Sequence, residues 1–214
     1  MGQIKVIILD FDGVIAESNA VKDAAFGEFF DRHPQYSAAM RDYHQRHHAK
    51  PRRFKFTYFI EELMGRPGNV AAIDSMADAF SALVAEQVIA CPEVHGAGAF
   101  LATFSERVPL YISSVTPQEE LDRILVARGC APYIRQAFGN PPHPKDEAIA
   151  AILDREGLQP AQAAFVGDSE SDYQVAIKTG LLFVGRDSGQ PFSAPGLQLC
   201  KDLFAVADRL HPLL

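Results

Sequence analysis

Cysteine is scarce in this sequence. Cys91, Cys130 and Cys200 are spread over 214 residues with no C-x-x-C spacing. That argues against a disulfide framework and a cysteine-built zinc site. An odd, sparse set fits free thiols in a reducing compartment, so a cytoplasmic location is expected. Long apolar runs are missing as well. None reaches the ~18 residues that a membrane-spanning helix requires. The opening Met-Gly-Gln-Ile-Lys enters an apolar stretch at once, without the charged start and cleavage site of a signal peptide. No membrane partner is therefore expected. Positive charge is in deficit: 20 Lys and Arg face 27 Asp and Glu, for a formal net charge of -7. An acidic chain repels a polyphosphate backbone, so nucleic acid is not an expected partner. Internal repeats and low-complexity tracts are also lacking.

Hydrophobic residues are plentiful, at 48%, against 22% charged, which is the balance of a folded chain with a sizeable core. Residues 4–9 are short, β-branched and nearly all apolar, the pattern of a strand buried on both faces. Similar runs occupy 108–114, 163–166 and 181–185, with a weaker one near Tyr133–Phe138. Helical patterns lie between them. Thr116-Pro117-Gln118-Glu119 has the form of a capping box, Leu121, Ile124 and Leu125 follow at helical spacing, and Gly129 ends the pattern. Residues 145–156 and 171–179 repeat it, stopped by Gly157 and Gly180. Alternating strands and helices predict a doubly wound, Rossmann-like parallel α/β sheet built from 1–15 and 96–214. The stretch 16–95 has no clear strand. Phe26, Phe29 and Phe30 share a helical face, as do Phe56, Phe59, Ile60 and Leu63, and an Ala-rich segment runs from Asn69 to Ile89. An inserted α-helical domain is expected there.

The apolar strands end in polar residues: Asp10 and Asp12, Ser114, and Asp168. In an open parallel sheet these ends share one edge, where ligands of such folds bind. Lys145 opens a helix after a loop and can reach that edge.

The order of these elements resembles the haloacid dehalogenase superfamily, helical-cap subgroup. Asp10-Phe11-Asp12-Gly13-Val14 is similar to its first motif, Ser114 to the second, Lys145 to the third, and Gly167-Asp168-Ser169-Glu170-Ser171-Asp172 to the fourth. The resemblance implies a magnesium-dependent phosphatase acting on a small phosphorylated metabolite. It makes Asp10 the nucleophile and a metal ligand. Asp12 becomes general acid and then general base, with its carbonyl on the metal. Asp168 becomes a ligand and Asp172 a direct or water-bridged one. Ser114 would donate to phosphoryl oxygens, Lys145 would neutralise charge, and backbone N–H groups after Asp10, Gly13 among them, would add donors. The chemistry suits those residue types. A carboxylate cannot approach an anionic phosphoryl group unless a hard cation masks the charge. An acid at Asp12 suits an alcohol leaving group, which needs a proton. The same motifs serve a phosphomutase, and a metabolite-binding protein that has lost turnover is the non-enzymatic alternative.

Some alternatives stay open. Ser113 and Ser114 could cap the following helix, and His143 competes with Lys145. His44, His47 and His48 suggest zinc, but no familiar carboxylate or cysteine spacing completes a site, so a solvated histidine cluster is expected. Lys50-Pro51-Arg52-Arg53-Phe54-Lys55 is the densest basic cluster. Either it is a solvated turn, or Arg52 or Arg53 grips an anionic group of the substrate. Monomer and homodimer are both open.

Overall fold

The computed structural model describes residues 3–48 and 50–214. It divides into two compact units, Met1–Ser18 with Pro92–Leu214, and Asn19–Cys91. Among the described residues no helix is long and apolar enough to cross a membrane.

The first unit is a five-stranded sheet. Strands β1 (Val6–Leu9), β2 (Leu110–Ser114), β3 (Gln136–Gly139), β4 (Ala163–Gly167) and β5 (Leu182–Gly185) lie in the order β3-β2-β1-β4-β5, and every pairing is parallel. The continuous run Val-Ile-Ile-Leu belongs to the central strand, and all four residues are buried. Side chains alternate across the sheet. Val6, Ile8, Tyr111 and Phe165 form one face, packed by Ile149 and Ile152 of α7 (Lys145–Glu156) and Ala176 of α8 (Glu170–Thr179). Toward the other face, α5 (Ala97–Ser105) packs on β2 and on α9 (Leu203–Leu210). Helix α6 (Gln118–Ala127) packs on β3. The glycine stops are real: Gly129, Gly157 and Gly180 have φ of 69°, 64° and 76°, the left-handed turn that ends a helix at little steric cost.

The second unit is helical. It contains α1 (Asn19–Asp31), α2 (Pro34–Arg46), α3 (Arg52–Tyr58), which continues as a π-helical turn over Phe59–Leu63, and α4 (Val70–Ala90). Asn69 caps α4 by accepting from the Ala72 amide at 3.1 Å. The core is aromatic. Phe26 stacks on Phe80 with ring centroids 4.0 Å apart, and Phe29 meets Phe56 at 5.4 Å. Such pairs add about 0.5–1.5 kcal/mol beyond the apolar area they bury.

The histidine cluster departs from expectation. His44 is buried, not solvated, and its ring lies 4.4 Å from that of Phe26. Its Nε2 and that of His48 approach the same oxygen, Asp23 Oδ1, at 2.9 and 2.8 Å. His47 points elsewhere, against Tyr43 and Phe54. The carboxylate partner was hidden because Asp23 sits on a different helix. Burial alone would raise the Asp23 pKa, but the two histidine hydrogen bonds hold it well below the ordinary carboxylate range. Lys55 is also buried, with Nζ 3.0 Å from His44 Nδ1 and 4.6 Å from the Phe26 ring. Desolvation lowers its pKa to about 7.

Candidate active site

Strand register brings the polar ends together. Leu9 of β1 stands beside Ile112 of β2 and Val166 of β4, so Asp10, Ser114 and Asp168 follow on one edge of the sheet. Asp10 still belongs to the ladder, its N–H donating to the Val166 carbonyl at 2.9 Å. Its side chain is buried, with Oδ1 accepting from the Phe11 amide at 2.7 Å.

Lys145, the first residue of α7, joins two of these carboxylates. Its Nζ lies 2.8 Å from Asp10 Oδ2 and 2.6 Å from Asp172 Oδ1. His143 turns its ring onto Phe138, 5.4 Å away, so the cation among the carboxylates is the lysine. Burial pulls the Lys145 amine down, but Asp10 and Asp172 more than offset that and keep it charged. Asp10 is pushed well above the ordinary carboxylate range by burial. Lys145 opposes the shift, and Asp172, Asp168 and Asp12 reinforce it.

Asp172 lies in the first turn of α8, and its carboxylate has no exposure at all. Ser169 caps that helix and also donates to Asp172 Oδ2 at 2.7 Å. The Asp168 amide adds a bond to the same oxygen at 3.3 Å. Gly167 makes the packing possible, because a Cβ there would come within 2.4 Å of the Asp172 Cβ. Ligand atoms of Asp10, Asp168 and Asp172 all lie within 4.8 Å of one another. Three buried carboxylates and one ammonium leave negative charge in surplus. Oxygen donors with that surplus fit a hard divalent cation.

Asp12 is held differently. Ser18 Oγ donates to its Oδ1 at 2.5 Å, and Thr116 Oγ1 to its Oδ2 at 3.2 Å. These two hydroxyls escaped the sequence reading. By sequence Ser18 falls in the insert and Thr116 reads as a helix cap. Helix α6 instead begins at Gln118 with Pro117 at its N-cap. Ser114 Oγ accepts from the Thr116 amide at 3.1 Å, whereas Ser113 Oγ is buried without a hydrogen-bond partner.

Gly13 turns the loop with φ of 69°, and its N–H donates inward to the Ala16 carbonyl at 2.8 Å. Its carbonyl accepts from Arg186 Nη1 at 3.1 Å, and the same guanidinium pairs with Glu17. Arg186 follows β5, where nothing in the sequence marked it. Arg52 and Arg53 have partners inside the helical unit. Arg52 is buried, donates to Ser81 Oγ at 2.6 Å and covers the Phe80 ring. Arg53, half-exposed, pairs with Asp74.

The model of the haloacid dehalogenase-like hydrolases matches residues 4–180. Among curated proteins none matches this sequence. Solved structures share the fold at low identity. The HAD-hydrolase YfnB of Bacillus subtilis, bound to magnesium, superposes with a TM-score of 0.72 at 15% identity, covering 97% of this chain and 99% of its own. CbbY of Rhodobacter sphaeroides, in complex with xylulose-1,5-bisphosphate, gives 0.70 at 16%, covering 92% and 91%. A "predicted phosphoglycolate phosphatase" of Haemophilus somnus gives 0.68 at 17%, covering 91% and 90%. With the motif residues gathered on one sheet edge and the family model spanning most of its length, the chain belongs to the haloacid dehalogenase-like hydrolases.

Proposed function

We propose that this hydrolase is a Mg²⁺-dependent phosphatase of small phosphorylated metabolites, working through an aspartyl-phosphate on Asp10. The observation that carries the reading is the buried Lys145 bridge between Asp10 and Asp172, beside Asp168 and a hydroxyl-clamped Asp12. The three carboxylates and the Asp12 carbonyl would hold Mg²⁺, which supplies the charge neutralisation that lets a carboxylate approach a phosphoryl group. Asp10 attacks phosphorus through the oxygen not engaged by the Phe11 amide. Lys145 neutralises charge on that oxygen and on the transferring group. Ser114 Oγ already accepts from Thr116 and so presents its own O–H to a phosphoryl oxygen. Asp12 protonates the departing alkoxide, then takes a proton from the water that cleaves the aspartyl-phosphate. The hydroxyls of Ser18 and Thr116 fix its orientation for both steps.

The neighbours support this class of substrate: one holds magnesium, one a sugar bisphosphate, and one is described as a phosphoglycolate phosphatase. The helical unit is read as a cap that sets selectivity. Arg53, the more exposed of the two candidate arginines, is preferred over Arg52 as a contact to an anionic group of the substrate. The three buried free cysteines suit a reducing cytoplasm.

The test is phosphate release from a panel of phosphate esters with Mg²⁺, with and without chelator, for the wild type and for Asp10→Asn. Turnover that needs the metal and disappears in Asp10→Asn is expected. No release from any ester, or normal rates in the variant, overturns the reading.

A further inference from the structure

The motif residues leave the histidine cluster of the helical unit unexplained. It has the makings of a site of its own. Asp23 on α1 offers Oδ1, and His44 and His48 bring Nε2 to 2.9 and 2.8 Å of that single oxygen. The potential ligand atoms all lie within 4.8 Å of one another. Two imidazole nitrogens and one carboxylate oxygen thus converge on one point, the donor set of a nitrogen-and-oxygen metal site.

The rings are also held in place. Lys55 Nζ lies 3.0 Å from His44 Nδ1 and donates to the His48 carbonyl at 3.0 Å, so one side chain steadies both histidines from behind. Phe26 packs against the His44 ring. Both Nε2 atoms are left facing Asp23. A ligating imidazole carries its other N–H on the far nitrogen and needs an acceptor there. At His44 the Lys55 nitrogen stands 3.0 Å from that far nitrogen. The site is reachable as well: the side chains of Asp23 and His48 are 43% and 29% exposed, while His44 closes the inner side at 9%.

We propose that Asp23, His44 and His48 form a second metal site, separate from the carboxylate cluster, for a transition-metal dication of the zinc class. Two nitrogens and one carboxylate oxygen suit Zn²⁺, which takes N and O ligands tetrahedrally and leaves a fourth position for water. Nitrogen donors also set it apart from a Mg²⁺ site, which is built from oxygen. Tetrahedral bonds of about 2.0–2.2 Å place ligand atoms about 3.3 Å apart. The cluster must therefore open by roughly half an ångström. His48, in the turn beyond α2, is placed to allow that. The ion takes the Nε2 lone pair of each neutral imidazole, whose single proton then sits on Nδ1. Bound there, it would tie α1 to the end of α2.

The experiment is calorimetric titration of the chelator-treated full chain with Zn²⁺, with Mg²⁺ in excess to occupy oxygen-only sites. Tetrahedral Co²⁺ absorption serves as the second readout. One Zn²⁺ per chain should bind in the wild type. In His48→Gln the affinity should fall by more than the roughly 10–100-fold that loss of an outer partner causes. His48 is partly exposed, so this variant should fold, and far-UV circular dichroism checks it. Asp23→Asn should fall similarly, while Asp168→Asn should keep the site. The proposal is overturned if no Zn²⁺ binds above the Mg²⁺ background, if His48→Gln and Asp23→Asn bind like wild type, or if Asp168→Asn abolishes binding.

Discussion

Lys145 and Asp10 form an ion pair of 2.8 Å with both side chains almost fully buried, 7% and 8% exposed. Removing one member of such a pair leaves the other charge without a counter-ion in a poor solvent for it. Lys145→Met should destabilise the metal-free protein by about 3–5 kcal/mol. Mg²⁺ should restore part of the loss by neutralising the same carboxylates. Urea unfolding with chelator and with Mg²⁺ measures both effects. Equal stability of variant and wild type in chelator would refute the electrostatic role.

Asp12 as general acid makes a leaving-group prediction. Asp12→Asn should slow hydrolysis of an alkyl phosphate by about 10²–10⁴-fold, the usual range for this kind of assistance, and that of an aryl phosphate much less. Thr116→Val removes one of the two hydroxyls that orient the carboxyl and should show the same bias in weaker form. Identical losses for both leaving groups in Asp12→Asn would count against its acid role.

Gly167→Ala tests the packing behind the proposed metal ligands. Its new Cβ would meet the Asp172 Cβ at 2.4 Å and Cγ at 2.8 Å, so the carboxylate must move. Since Asp172 is tied to Lys145 and Ser169, the displacement should weaken Mg²⁺ binding by at least about tenfold, the scale seen when supports of metal ligands are lost. Calorimetric Mg²⁺ affinity is the readout, and an unchanged value would show that the strand yields instead.

Lys55 should give the helical unit a pH dependence. Its folded pKa of about 7 lies below the 10.5 of a solvated lysine. Between these values the unfolded chain binds the extra proton, so stability rises with pH across that window. Below about 7 both states are protonated and the full cost of the buried charge is present. Urea midpoints of the wild type relative to Lys55→Met, in chelator from pH 6.5 to 9.5, should climb with pH. A flat difference would mean the amine stays protonated throughout.

Much of this is legible in the amino-acid sequence. Strands inside a parallel sheet are buried on both faces, so β1, β2 and β4 read as apolar runs, and Asp10, Ser114 and Asp168 marked their ends. Helices α7 and α8 stop at glycines that must adopt positive φ. What stayed hidden depends on partners distant in sequence. Thr116 and Ser18 look like turn residues until Asp12 is placed between them. Arg186 has no motif, and its role rests on the Gly13 carbonyl and Glu17. His44 seemed solvated because neither Asp23 nor Phe26 belongs to its helix. The sequence placed the insert at 16–95, whereas the compact units part at Ser18 and Pro92. There the Glu17 amide bonds to the Pro92 carbonyl at 2.9 Å, and the Val94 amide to the Ile15 carbonyl at 3.0 Å.

Strand β1 is first in the chain and central in the sheet. Its neighbours are made late, β2 from Leu110 and β4 from Ala163, after the whole contiguous segment Asn19–Cys91. A growing chain can therefore gather the phenylalanine core of the helical segment from residues already made. Val6–Leu9, meanwhile, waits as a sticky, unpaired strand for partners that close very long loops. The expected order of assembly puts helices first and sheet last. In pulse-labelled hydrogen exchange during refolding, the amides of Phe26 and Phe80 should gain protection before that of Ile7. The carboxylates around Lys145 can meet only after that closure, so a nascent chain cannot gather them before Asp172 has been synthesised.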